Sequence, residues 1–130
     1  MNDLDKNPEP SGELSLQTVA MPKDTNARGD IFGGWLLSQM DIAASIAAAK
    51  IAGGRVATVA IDSMSFLVPV QVGAIVACYT EINEVGSSSI QVLVEVWAQN
   101  QSSTETSKVT EGLFVFVAID EHGRTRAISN

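Results

Sequence analysis

Hydrophobic and polar positions divide the chain into a polar beginning, one long apolar block and a series of alternating runs. Residues 1–13 are polar, with Pro8, Pro10 and Gly12, and read as a mobile N-terminal tail. ELSLQTVAM (13–21) alternates well enough for a first strand, which Pro22 stops. A polar loop, PKDTNARGD, leads into a helix from Gly33 to Ala52, and Gly53-Gly54 ends it. Everything afterwards reads as strand. RVATVAIDSMSFL is β-branched and bounded by Pro69, and VGAIVACYTEINEV runs to Gly86. SSIQVLVEVWAQN sets Ile90, Val92, Val94 and Val96 on one face. SKVTEGLFVFVAID is apolar on both faces at its centre, as an interior strand is. The EHGRTR turn closes the pattern, with room for a last short strand. The pattern predicts a single α+β domain over residues 14–130, in which a curved antiparallel sheet of five to six strands wraps one buried helix.

That helix carries one carboxylate, Asp41. At about 100° per residue, Gly34, Ser38, Asp41 and Ser45 fall within one narrow sector of the helical wheel. A sheet covers the apolar part and leaves this polar strip facing something else. The ordinary reading of an acid there is solvation. Two features point elsewhere. The strip is flanked by Ala and Gly, which permit another backbone to come close. The helix also begins at Gly33-Gly34, where unpaired N–H groups and the positive dipole end make a ready anion site. An acid in a cleft near such a helix start is a hydrolytic arrangement: the acid activates water or attacks directly, and the N–H groups stabilise the developing negative oxygen.

Other catalytic plans are poorly supplied. His122, the only histidine, sits in the polar EHGRTR turn and reads as a surface residue, so a Ser-His-Asp or Cys-His system has no good base. No set of His, Cys or carboxylates stands at metal-ligand spacing, so no metal and no cofactor are expected. GDIFGG is not followed by GK[ST] and is no phosphate loop. Asp62, on a strand, reads as a structural acid; Trp35, Met40, Phe66 and Trp97 read as core or pocket wall.

Composition narrows the partners. The chain has 130 residues, 45% hydrophobic and 18% charged, which fits one domain with a modest core. Its net charge of -7 argues against nucleic acid, and any anionic ligand must meet a local basic cluster. Cys78 is the only cysteine, so no intrachain disulfide forms, and a reducing, cytoplasmic home is expected. The start, MNDLDKNPEP, is no signal peptide. The block from Gly33 to Ala52 is about membrane-spanning length. It is interrupted by Ser38, Gln39, Asp41, Ser45 and Lys50, and reads as a buried soluble helix with no membrane role.

Four segments, MPKDTNARGDIFGGWLLSQMD, GRVATVAIDSMSFLVPVQVG, VGSSSIQVLVEVW and LFVFVAID, resemble the hotdog-fold acyl-CoA thioesterases, specifically the YciA-like bacterial group. The resemblance covers roughly residues 14 to 128. It implies a long helix wrapped by an antiparallel sheet, and hydrolysis of acyl-CoA thioesters to free acid and CoA in lipid metabolism. It implies Asp41 as general base or nucleophile, Asn26 in contact with the thioester carbonyl or the water, and the N–H of Gly33 or Gly34 as oxyanion donor. Ser45, one turn after the acid, matches a position that holds the water. The resemblance also implies a homodimer, often assembled further into a homohexamer, a trimer of dimers.

Helix geometry adds that the site is shared. Gly34 and Asp41 are seven residues apart, about 10 Å along the axis, whereas base and oxyanion donor must both lie about 3 Å from one reacting group or its water. Two antiparallel helices related by a two-fold axis meet that demand, with Asn26 and Gly33-Gly34 from one subunit and Asp41 and Ser45 from the other. For the CoA phosphates the candidates are Arg55, Lys108, Arg124 and Arg126, with Ser87, Ser88 and Ser89 as donors near a turn. An acyl pocket is expected from Ile31, Phe32, Trp35 and Met40. The alternatives are a non-catalytic acyl-CoA-binding module and a hotdog dehydratase; the latter uses a His with an acid, and no His lies near the motif.

Overall fold

Alanine favours helix and keeps the helix slim, and Gly33–Ala52 forms a helix of 20 residues, α1. It stops as expected: Gly53 is left-handed (φ 69°) and its N–H bonds the Ala49 carbonyl at 2.9 Å. The structure is a computed structural model that describes residues 9–101 and 103–128. Most of the expected N-terminal tail, residues 1–8, lies outside the described residues. Ser11, at the end of that tail, hydrogen-bonds Glu95 through its N–H and Glu81 through its hydroxyl.

The strands are β1 (Glu13–Val19), β2 (Val56–Phe66), β3 (Ile75–Val85), β4 (Ser89–Gln99) and β5 (Thr106–Ala118), with a 3-10 turn at Pro22–Asp24. β3 starts later than its apolar run, because Gly73 (φ 90°) and the Ala74 N–H to Gln71 carbonyl bond make a turn first. The sheet among the described residues has five strands, and the possible sixth does not form. Ile119 and Thr125 make only an isolated bridge, around a turn in which Asp120 accepts the N–H groups of His122 and Arg124. All pairings are antiparallel, in the order β1-β3-β4-β5-β2. β5 is interior, as its two apolar faces require, while β1 and β2 are edges.

The helix lies against one face of this sheet. Its buried stripe is small: Ala43, Ala44, Ala48 and Ala52, with Leu36 and Met40 near the start. The sheet supplies the bulk from Ile90, Val92, Val94, Val96, Phe114 and Phe116, all buried. Small residues on one layer and large ones on the other let the two layers approach closely.

Two irregularities in β2 aim its side chains. The register shifts between Thr58 and Ala60 and again between Asp62 and Ser65, where Ser63 takes φ 55°. Met64 then covers Gly112, its sulfur standing where a Cβ at Gly112 would go. The outcome is that Thr58, Ile61 and Phe66 stand opposite Phe116, Phe114 and Thr110, so all three share the helix-side face.

One expectation needs correction. The sheet does not cover all of the apolar helix surface: Ile42 and Ile46 are 46% and 42% exposed, beside the polar strip. On the neighbouring edge strand Val59 and Ile61 are exposed as well. A long apolar edge next to an apolar helix face is a surface that soluble chains cover.

Candidate active site

The loop before α1 is held by its own polar groups. Asn26 accepts two backbone N–H groups on its side-chain oxygen, from Arg28 at 2.8 Å and Asp30 at 3.1 Å. Its backbone N–H bonds the Asp30 carbonyl at 2.7 Å, and Gly29 turns with φ 89°. The loop thus folds on Asn26 as an Asx turn. The asparagine Nδ2 is left without a hydrogen-bond partner among the described residues.

Phe32 closes the loop onto the helix. Its N–H bonds the Asp24 carbonyl, and its own carbonyl receives the N–H groups of Trp35 and Leu36. The N–H groups of Gly33 and Gly34 therefore point off the helix end, and Phe32 supplies no side-chain cap. Space above Gly34 is open: a Cβ added there meets no atom within 4 Å. At Gly33 the same Cβ would touch the Phe66 ring at 3.6 Å.

Asp41 is half-buried and accepts a hydrogen bond from the Thr58 hydroxyl at 2.7 Å on Oδ1. Thr58 was invisible as a site residue in the sequence. RVATVAID reads as a strand of small and branched side chains, and two bulges decide which of them face the helix. The contact fixes the carboxylate and leaves Oδ2 open. Ser38 and Ser45 lie on the same strip, but each hydroxyl donates to its own helix, to the carbonyls of Trp35 and Ile42. Ser45 keeps its lone pairs for a water but has its proton committed.

Other nucleophiles and bases are set aside by the structure. Cys78 is buried under the helix, and burial pushes its thiol up to about 12, so no thiolate is present at neutral pH. His122 is exposed on the turn beside Glu121. Among the described residues no group of three or more His, Cys, Asp or Glu is placed to hold a metal ion. Among them, no helix is long and apolar enough to cross a membrane.

The candidate phosphate contacts do not form one group. Arg55 donates to the carbonyls of Asp120 and Glu121, which sets it on the turn that carries Arg124. Ser87 and Ser88 border this end through their carbonyls, bonded by Ile128 and Ala118, while Ser89 closes the hairpin onto Gly86. Lys108 is elsewhere, bound to Glu95 and Glu111, and the Glu111 carboxylate holds its ammonium above the ordinary value. Arg126 is structural: it donates to the Ala52 carbonyl at 2.9 Å and the Ile119 carbonyl at 3.0 Å, capping the end of α1. Arg126→Ala is expected to cost about 1–2 kcal/mol, because it removes the donor to the Ala52 carbonyl at the helix end and to the Ile119 carbonyl. Denaturant unfolding measures it, and a loss near zero would deny the cap.

The acyl-pocket candidates separate too. Met40 is 0% exposed and packs in the core. Phe32 is half exposed at the helix start, Trp35 packs partly against the core, and Ile31 is buried beside Val70.

Known proteins match this arrangement over most of its length. The thioesterase superfamily model matches residues 28–105. The acyl-CoA thioester hydrolase YciA of Salmonella typhimurium is 49% identical, over 98% of this chain and 97% of that protein. The crystal structure of a hexameric thioesterase from Yersinia pestis is 51% identical, with a TM-score of 0.90 over 94% of this chain and 99% of that one. An acyl-CoA hydrolase from Staphylococcus aureus was solved with alanine in place of one asparagine, in complex with coenzyme A, and with alanine in place of one aspartate. Those structures are each 29% identical to this chain, with TM-scores of 0.82 and 0.79, and cover 88% and 87% of it and 69% of theirs. The two substituted positions are 15 residues apart, the separation of Asn26 and Asp41 here.

Proposed function

Since the chain belongs to the thioesterase superfamily, with its hotdog fold, we infer that it hydrolyses acyl-CoA thioesters to free acid and CoA at a site built from Asn26, Gly33, Gly34, Asp41 and Thr58. The observation that carries the site is the Asp41 carboxylate, clamped on one oxygen by Thr58 and open on the other, on a strip that continues to the unpaired N–H groups of the helix start.

The chemistry follows from those atoms. Asp41 Oδ2 takes a proton from water as the water oxygen bonds the thioester carbon. Direct attack by the same oxygen, followed by hydrolysis of the anhydride, needs the same carboxylate. The carbonyl oxygen becomes an oxyanion held by the N–H groups of Gly33 and Gly34, with Asn26 Nδ2 as a further donor. When the carbonyl reforms, the C–S bond breaks and CoA leaves as a thiolate. A thiol with an ordinary pKa near 8.5 is a good leaving group.

The protein works as a homo-oligomer, and its sites lie between subunits. Base and oxyanion donor are about 10 Å apart on one helix. The free β2 edge, flanked by exposed Val59, Ile61, Ile42 and Ile46, is the surface on which a second copy brings an antiparallel helix alongside. Each helix start then faces the other subunit's Asp41. Beyond that Asp41, the other subunit's helix runs about 16 Å to its end, where Arg55 and Arg124 stand, so the CoA phosphates are directed to them. Further association of such dimers makes a hexamer here; the Yersinia pestis relative is hexameric.

Thr58 provides the test. Removing a hydrogen bond to a charged group costs about 1.5–3 kcal/mol. Thr58→Val is therefore expected to slow CoA release from acyl-CoA by about 10- to 100-fold, and Thr58→Ser to restore most of it. A valine variant as fast as wild type would show that the clamp is idle.

A further inference from the structure

We propose that Asp24 is a positioning residue for the oxyanion-binding end of α1. Its buried carboxylate locks the turn whose carbonyl holds Phe32, and so aims the N–H groups of Gly33 and Gly34. This deepens the hydrolase reading above and rests on it.

Asp24, 9% exposed, is the only buried charged residue among the described ones. A carboxylate is costly to bury, and this one takes no part in the chemistry above. Its partners are local. Oδ2 accepts the Met21 N–H at 3.3 Å, and Oδ1 accepts the Lys23 ammonium at 3.3 Å. The Asp24 N–H in turn bonds the Met21 carbonyl at 2.9 Å. Met21 and Asp24 thus bond in both directions and close the 3-10 turn at Pro22–Asp24. Thr25 tightens it, since its N–H and its hydroxyl both bond the Pro22 carbonyl, at 3.2 and 2.8 Å.

The locked turn reaches the site through one bond, from the Phe32 N–H to the Asp24 carbonyl at 2.9 Å. Phe32, Gly33 and Gly34 offer three consecutive N–H groups at the helix start, and this bond withdraws the first. It also helps to set the aim of the second. The Phe32 carbonyl receives the N–H groups of Trp35 and Leu36 at 3.1 and 3.3 Å, so this residue is held on both sides. In a trans peptide the C=O and the following N–H point in opposite directions. With the Phe32 carbonyl turned into the helix, the Gly33 N–H is turned out of it. Phe32 supplies no side-chain cap of its own, so the hold comes from Asp24.

The experiment compares wild type, Asp24→Ala and Asp24→Asn, with kcat and KM for butanoyl-CoA measured separately by thiol release. Asp24→Ala is expected to lower kcat about 10- to 100-fold, the effect of misplaced donors, with KM within about twofold, because donors aimed at an oxyanion act in the transition state. Asp24→Asn keeps an oxygen for the Met21 N–H and is expected to return kcat to within about threefold of wild type. A trifluoromethyl ketone analogue of acyl-CoA, whose hydrate presents the oxyanion, is expected to bind Asp24→Ala more weakly by the factor lost in kcat, while CoA binds all three proteins alike. A residue that only stabilises the fold would lower the melting temperature and leave the analogue-to-CoA affinity ratio unchanged. Wild-type kcat in a folded Asp24→Ala overturns the proposal. An Asn variant as slow as the Ala one does so too, because charge and not the closed turn would then be at work. If Asp24→Ala melts below the assay temperature, Asp24→Glu decides, since it keeps the charge and displaces the oxygens by one methylene. Its kcat is expected to fall at least about fivefold at unchanged KM, and a wild-type kcat there overturns the proposal. Wild type that releases CoA from no acyl-CoA refutes the hydrolase reading itself, a result distinct from all of these.

Discussion

Asp41→Asn is expected to slow CoA release from acyl-CoA by about 100- to 10,000-fold, the range for losing a general base. The substitution is nearly isosteric, and its Oδ1 still accepts the Thr58 hydroxyl, so the link between α1 and β2 survives. What disappears is the free oxygen able to take a proton or to attack. The partly buried setting of Asp41 makes removal of a charge harmless to the fold, since no salt bridge of the described residues depends on it. Initial rates from a thiol-release assay, paired with a melting curve, separate chemistry from stability. Turnover within a few-fold of wild type in a well-folded variant would remove Asp41 from the mechanism.

Mixing Asn26→Ala with Asp41→Asn, each inactive alone, is expected to restore about a quarter of wild-type activity after subunit exchange. Random reassortment makes half the dimers mixed. In a shared arrangement a mixed dimer has one site with both residues intact and one with both lost. Loss at Asn26 has two sources, the Nδ2 donor and the turn that its side-chain oxygen organises. Complementation is insensitive to that division, because the intact loop and intact acid come together from different chains. Exchange is confirmed by mass spectrometry of differently tagged subunits. If exchange is complete and no activity returns, each subunit uses its own Asn26 and Asp41, and the antiparallel pairing of helices is wrong.

The elements of the fold were legible because each follows from local chemistry. The helix from Gly33 to Ala52 is an Ala-rich run with a glycine stop, and its boundaries in the structure are those of the pattern. The β4 alternation of Ile90, Val92, Val94 and Val96 gave its buried face, and the two-sided apolar centre of β5 gave its interior place in the sheet. The polar strip on α1 and the open helix start could be seen on a wheel, since both depend on one helix alone.

Contacts between elements were not legible, and the physical reason is register. The partner of Asp41 is Thr58, 17 residues away, and it is chosen by bulges that reverse which β2 side chains meet the helix. No period of two or 3.6 contains that information. The same holds for charge: Arg55, Lys108, Arg124 and Arg126 look equivalent in a sequence. Backbone carbonyls take Arg126 at the helix end and Arg55 at the Asp120–Glu121 turn, carboxylates claim Lys108, and Arg124 lies on the same turn as the Arg55 contacts. Met40 belongs to the core and the Phe66–Leu67–Val68 run to the surface, although both are apolar residues near the motif. Which segments form elements and what chemistry they carry depends on neighbours along the chain, so the order of residues is enough to read them. Which side chains meet was decided only by the tertiary structure, because packing sets one strand register and one helix rotation out of several that the pattern allows.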